Sequence, residues 1–320
     1  MLLSNYITQS LLTNKYFLRI VAIACSNHSL VTALGYAVIN DKIGRGKFIV
    51  RRIRVGEPVQ RNLCSYGGGP WRVYARKLLT IRAVTYNIGG RHSGFRADRV
   101  TAVLQALDAD VVCLQEVAGE SADNTQAHAL ASRLRMNCVF APAHAPHPVG
   151  NAMLCRWPLH SVHRIPLPRA PSSSTHARKQ HRVALAAVVS PFRHRPHFDF
   201  WCLCTQLSAY SSKDQASGAC TKPLACLRDF VQHPTRKDMP ALLLADLNAA
   251  PGGKSLGFLD RNWNVYSQYD TCFTTSKQKL DHILDRSRGR WVAGKQWVVP
   301  NAVSVSGHLP LVSEFHVVPE

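Results

Sequence analysis

The 320-residue sequence contains no uninterrupted apolar run of about 18 residues, which excludes a clear transmembrane helix. Its ten cysteines are too sparse for a disulfide scaffold and none forms a CxxC pair. Cys113, Cys155, Cys202, Cys204 and Cys226 fall inside apolar runs and read as buried reduced thiols, which favours an intracellular, reducing compartment. No Walker loop, Rossmann glycine motif, zinc-ligand spacing or GxSxG elbow is present. P-loop nucleotide hydrolysis, dinucleotide-dependent redox chemistry and elbow-type serine hydrolysis are thereby set aside. Acidic residues are scarce: 19 Asp+Glu stand against 39 Lys+Arg, a formal net charge of +20. Such a balance favours a polyanionic partner. What the sequence does have is 46% hydrophobic residues, enough for a sizeable core.

The charge divides unevenly along the chain. Residues 1–77 carry 12 Lys+Arg and only Asp41 and Glu57, giving +10. Residues 78–320 hold the other 27 basic and 17 acidic residues, also +10 over a threefold longer stretch. The breaker cluster Ser65-Tyr66-Gly67-Gly68-Gly69-Pro70 ends the first segment. Residues 1–77 therefore read as a basic N-terminal extension, for organelle targeting, for tethering at an anionic membrane surface, or disordered, and 78–320 as the domain. The extension's most apolar part, residues 17–39, is interrupted by Arg19, Asn27 and His28, which argues against a stable span.

After residue 77 the pattern alternates between strands and helices. Residues 78–88 alternate as a strand, and Val100, Val103, Leu104 and Leu107 follow helical spacing. Asp110–Leu114 reads as a short buried strand and Ala122–Leu134 as a helix. Strands are expected at Ala152–Leu154, Arg182–Val189, Phe198–Leu203, Ala241–Leu244, Leu280–Leu284 and Leu311–Val318. A helix starts at Thr221. Pro166–Thr175 and Gln268–Lys279 read as polar loops. Mixed alternating and fully apolar strands with helices between them predict two packed sheets with helices outside.

Polar residues gather where these strands end or begin. Asn87 closes the first strand, Glu116 follows the second, Asp246 and Asn248 follow ALLLA, Asp281 opens LDHIL, and His308 precedes LPLVSEF. A carboxylate directly after a buried strand is costly unless it is paired or binds a cation. Each residue alone has a structural explanation, as a turn cap or a satisfied core group; five such sites in one order permit phosphate-ester hydrolysis. Glu116 is a hard oxygen ligand suited to Mg²⁺, with Mn²⁺ as the alternative. Asp281 can orient the His308 imidazole and favour its charged form. Asp246 can position or deprotonate an attacking water. Asn87 and Asn248 can meet ligand-shell or phosphate oxygens without adding charge.

The strings TYNIGG, LQEV, GNAMLCRWPL, ADLNAAP, LDHIL and GHLPLVSEF resemble the endonuclease/exonuclease/phosphatase superfamily over about residues 79–318. The resemblance implies a four-layer α/β/β/α sandwich of two packed mixed sheets with flanking helices, and a Mg²⁺-dependent site at one end of the sheets. It puts Asn87 and Glu116 at the metal, Asp246 at the water-orienting position, Asn248 at the phosphate, and Asp281 with His308 as the acid–histidine pair. Three positions depart from the family pattern. Gln206 stands where the family has a histidine that contacts the scissile phosphate, and Gln206 can donate a hydrogen bond there but cannot carry a proton. Gly307 stands where the family has an aspartate, and Ala245 where it has a glycine.

Arg156, Arg178, Lys179 and Arg182 surround the segment after the GNA motif; Arg156 and Arg182 are the candidates to line a substrate groove. Trp157 and Tyr210 are candidate stacking platforms, and the loop Ser208–Ala219 a candidate for substrate selection. Three readings stay open: a Mg²⁺-dependent phosphodiesterase with nucleic acid slightly preferred, a phospholipid or sugar-phosphate hydrolase at an anionic membrane surface, and a polyanion-binding homologue weakened by Gln206 and Gly307. No obligate protein partner is inferred.

Overall fold

The computed structural model describes three short strands within residues 1–77, and then residues 79–90, 97–121, 123–143, 148–168, 181–192, 195–210, 218–266, 272–302 and 306–318. Arg178, Lys179, the centre of the Ser208–Ala219 loop and part of Gln268–Lys279 lie outside the described residues. The chain divides into two compact units, Met1–Lys77 and Leu78–Glu320. In the first, strands β1 (Ser10–Thr13), β2 (Tyr16–Ile20) and β3 (Tyr36–Ile39) form an antiparallel sheet in that order. Among the described residues no helix is long and apolar enough to cross a membrane.

The second unit holds two mixed sheets. One has six strands: β4 (Thr80–Asn87), β5 (Val111–Ala118), β6 (Asn137–Pro142), β7 (Val149–Cys155), β13 (Trp291–Val298) and β14 (Leu311–Val317), in the order β13-β14-β4-β5-β7-β6. The other has five: β8 (Leu159–Leu167), β9 (Arg182–Val189), β10 (Phe200–Gln206), β11 (Ala241–Asp246) and β12 (Asp281–Arg286), in the order β12-β11-β10-β9-β8. Each sheet has one parallel pair, β4 with β5 and β10 with β11. A parallel pair needs a crossover. Helix α1 (Ala97–Leu107) lies in the first crossover, and helix α3 (Thr221–Gln232) in the second. Helices α2 (Gln126–Leu134) and α4 (Lys254–Leu259) lie on later connections.

The strand period of two sorts side chains into layers. Ile81, Ala83, Val111 and Cys113 from one sheet meet Cys202, Cys204, Leu242 and Leu244 from the other in a fully buried seam. The intervening residues Val84, Tyr86, Val112 and Leu114 pack outward, against Val100, Leu104 and Leu107 of α1 and Ala127, Leu130 and Ala131 of α2. On the other side Ala184, Ala186, Leu203 and Leu243 pack against Leu224, Leu227 and Phe230 of α3 and Leu256 and Leu259 of α4. The result is the expected α/β/β/α order of layers.

Most elements fall where the pattern puts them, with longer strands at β5 and β7 and a later start for α2. Thr125 caps α2, its hydroxyl accepting from the His128 N–H, so the helix begins at Gln126 instead of Ala122. Strands β6, β8 and β13 and the short helix α4 are additions to the sequence reading, and Pro166 belongs to β8 instead of opening a loop. Cys113, Cys155, Cys202 and Cys204 are buried free thiols, while Cys226 is only partly buried.

Candidate active site

The register brings the strand-end residues together. Gln206 sits beside Asp246 across β10 and β11, and Asp246 beside Asp281 across β11 and β12. From the other sheet, Asn87 ends β4 and pairs with Gln115, next to Glu116. Because β14 runs antiparallel to β4, the segment before it, carrying His308, returns to the end of β4. There the Ser306 hydroxyl donates to the Asn87 carbonyl at 2.7 Å and accepts from the His308 N–H at 3.2 Å.

Two amides bridge two carboxylates across the seam. Asn87 Nδ2 donates to Glu116 Oε1 at 3.0 Å and to Asp246 Oδ2 at 2.9 Å. Gln206 Nε2 donates to the same two oxygens, at 2.6 and 3.2 Å. Arg182, at the start of β9, donates to Gln206 Oε1, which fixes which way the Gln206 amide faces. Both Gln206 N–H groups are therefore committed to carboxylates. Asn87 likewise turns its nitrogen to Glu116, while its Oδ1 accepts from the Gly89 N–H at 3.0 Å. Direct ligation by Asn87 requires its amide to turn over.

Glu116 has φ 56°, in the left-handed region, at the irregularity of the β5–β7 register between Leu114 and Val117. That backbone costs a non-glycine residue about 1–2 kcal/mol. Burial opposes charge on Glu116, but the Asn87 and Gln206 hydrogen bonds and the charges of Arg182 and His308 outweigh it and hold the carboxyl below its usual value. For Asp246 burial prevails: with the like charge of Asp281 it raises the carboxyl to about 6, against His308 and the bonds from Asn87 and Asn248. His308 Nδ1 lies 2.8 Å from Asp281 Oδ2. Burial alone would lower His308, but the hydrogen bond and charge of Asp281, with Asp246 and Glu116, lift it to about 9. His308 is thus an imidazolium at neutral pH. Asp281 Oδ1 is buried and accepts no hydrogen bond from the described residues.

Asn248 also adopts a left-handed backbone, at φ 47°, a conformation asparagine tolerates. Its N–H donates to Asp246 Oδ1 at 3.0 Å and its side chain to the Leu207 carbonyl at 2.9 Å. Burial lowers Arg182, opposed by the charges of Asp246 and Glu116. An arginine so placed stays cationic at neutral pH.

Arg156 is a correction to the sequence reading. It follows β7, whose last residue Cys155 pairs with Val111 at the start of β5, roughly 17 Å of strand from Glu116. Its guanidinium pairs with Asp108 and, at 2.9 Å, with Asp110. Trp157 packs on the core at that same end. Residues that the sequence reading missed are Ser306, Thr274 and Asn151. Thr274 Oγ1 accepts from the N–H groups of Leu280 and Asp281, and Asn151 of the GNA motif donates across the seam to the Val183 carbonyl at 2.7 Å. The signal for Asn151 was its motif; the other two act through backbone bonds that leave no pattern.

Asp246, Asp281 and His308 bring potential ligand atoms within 4.8 Å of one another. A cation held by this group would have to displace the proton of His308, because metal ligation requires the neutral imidazole. Glu116 fits a cation better: it is anionic, and its Oε2 accepts no hydrogen bond from the described residues.

A family model described as "Endonuclease/Exonuclease/phosphatase family" matches residues 84–310. A search of curated proteins returns no match. Among solved structures, an endonuclease/exonuclease/phosphatase from Beutenbergia cavernae DSM 12333 is similar at 20% identity and TM-score 0.57, covering 74% of this chain and 72% of that one. The human Nocturnin catalytic domain with bound sulfate is similar at 21% identity and TM-score 0.56, covering 75% and 94%. ANGEL2, a 2',3'-cyclic phosphatase, is similar at 16% identity and TM-score 0.57, covering 74% and 95%. At these identities the likeness is one of fold.

Proposed function

Because the chain belongs to the endonuclease/exonuclease/phosphatase family, we propose that it is a divalent-metal-dependent hydrolase of phosphate esters, with a nucleic-acid phosphodiester as the favoured substrate. The observation that carries this reading is the convergence of Glu116, Asp246, Asn87, Gln206, Asp281 and His308 at one end of the seam. Glu116 would hold Mg²⁺ or Mn²⁺, with Asn87 joining through its oxygen once its amide turns. The bound cation supplies polarisation of a phosphoryl oxygen and offsets charge in the transition state. Asp246, raised to about 6, is ionised at neutral pH yet basic enough to orient a water and accept its proton. The His308 imidazolium, held by Asp281, presents positive charge to a phosphoryl oxygen. Arg182 adds a second cation, and Asn248 closes the floor of the site.

The charge of +20 supports a polyanionic substrate. A fold-similar structure, ANGEL2 in complex with adenosine-2',3'-vanadate, supports a nucleotide ester. The test is turnover of single-stranded RNA, plasmid DNA, a 2',3'-cyclic nucleotide, sphingomyelin vesicles and a chromogenic phosphodiester, each with Mg²⁺ and with chelator. Chelator-sensitive cleavage of a nucleic acid is expected; turnover insensitive to chelator, or none on any substrate, removes the reading. Preferential cleavage of sphingomyelin would move it to a membrane surface.

A second reading, polyanion binding without turnover, is favoured by one observation: the Gln206 donors are already engaged. Gly307→Asp separates the two. A Cβ added at Gly307 meets no atom within 4 Å, so the aspartate is accommodated. Higher turnover in Gly307→Asp is expected of a weakened enzyme, and continued absence of turnover of a binder.

A further inference from the structure

We propose that Gln126 is a positioning residue that holds Glu116 in its left-handed backbone conformation. The inference rests on the reading of Glu116 as the metal-holding carboxylate. The Glu116 side chain is held at its carboxylate end, where Oε1 accepts from Asn87 and Gln206. The backbone is supported from behind. The Glu116 carbonyl accepts from the Gly90 N–H at 3.0 Å, and the Gly90 carbonyl accepts from Gln126 Nε2 at 2.8 Å. Gln126 Oε1 accepts from the Ala118 N–H at 2.9 Å.

One side-chain amide therefore joins the loop after β4 to β5 two residues past Glu116, and the ring closes through the Glu116 carbonyl. The fit is close on the loop side. A Cβ at Gly90 would stand 1.9 Å from Gln126 Oε1 and 2.6 Å from the Glu116 carbonyl oxygen. The clamp is itself anchored, because Gln126 is the first residue of a capped helix whose Ala127, Leu130 and Ala131 are buried. Residues behind a metal ligand that fix its orientation commonly carry tenfold or larger effects on affinity.

The test uses the full chain and the variants Gln126→Met, which keeps length without hydrogen bonds, and Gln126→Glu, which keeps the acceptor for Ala118. In metal-free protein, backbone amide exchange at Gly90 and Ala118 should rise at least tenfold in Gln126→Met, with exchange in α2 unchanged. Ala118 should stay protected in Gln126→Glu. Mn²⁺ affinity, measured by calorimetry, should fall about tenfold in Gln126→Met. Exchange that rises throughout α2 would mark a merely structural role and overturn the proposal. So would unchanged Mn²⁺ affinity in Gln126→Met when Glu116→Ala does weaken Mn²⁺. If Glu116→Ala leaves Mn²⁺ binding untouched, the metal reading fails by itself, and exchange at Gly90 and Ala118 decides whether Gln126 holds the backbone.

Discussion

Gln206 cannot titrate, yet it sits between two carboxylates and a guanidinium and touches all three. Its amide gives Glu116 and Asp246 shared neutral donors. Gln206→Leu should therefore raise the Glu116 carboxyl and cut turnover at least tenfold while binding of a polyanion persists; a pH–rate profile and a filter-binding assay check both halves. His308 supplies a stability signature. Its folded value, about 9, lies above the ordinary 6.5, so its contribution is complete below pH 6.5 and is lost as pH rises through 9. In chelator, urea stability should fall on the order of 2–3 kcal/mol across that window, and the fall should vanish in His308→Gln. At this scale the sequence was legible where chemistry interrupts an apolar run: Asn87, Asp246, Asn248, Asp281 and His308 stand at or near strand ends, while Glu116, read as following a strand, stands at a register irregularity inside β5. It was illegible where a side chain acts on backbone, as Ser306, Thr274 and Gln126 do. Arg156 was misread because a basic residue has the same appearance in a groove and in an ion pair at the far end of a sheet.

Of the four strands at the edges of the two large sheets, three, β6, β8 and β13, escape the sequence pattern. Central strands are covered on both faces and read as apolar runs, such as ALLLAD in β11. β8 is exposed along most of its length and contains Pro166, which an edge position tolerates. β13 and β8 are also broken by register shifts, which disturb alternation further. The edge strand β6 buries Phe140 and Ala141 and also depends on close backbone approach to β7. A Cβ at Gly150 of β7 would stand 1.9 Å from the Ala141 carbonyl oxygen, so the strands must part to admit it. Gly150→Ala should destabilise the protein by about 1–3 kcal/mol, read as a lower urea midpoint with an unchanged slope. A midpoint equal to that of the parent would show that β6 contributes little to stability.

Over the whole molecule, net charge and the candidate site have opposite signs of residue in excess. The acidic cluster sits at one end of the seam, while basic residues give each unit +10. The KM for an oligonucleotide should rise at least tenfold between about 50 and 200 mM salt, and that of a small chromogenic phosphodiester less than about twofold. Equal responses would show that the overall charge takes no part in capture. The layer order was legible from strand and helix spacing together with the motifs, because burial on both faces of two sheets leaves few other arrangements. The amide bridges have one mechanical consequence. Asn87 and Glu116 ride on one sheet, and Gln206 and Asp246 on the other. Sliding the sheets by about an ångström would stretch the two bonds that cross between them, Asn87 to Asp246 at 2.9 Å and Gln206 to Glu116 at 2.6 Å, beyond their useful length. The site is thus a clasp on the sandwich, and remote changes at Cys113 or Leu244 that shift one sheet over the other would be felt first as a loss of these two bonds.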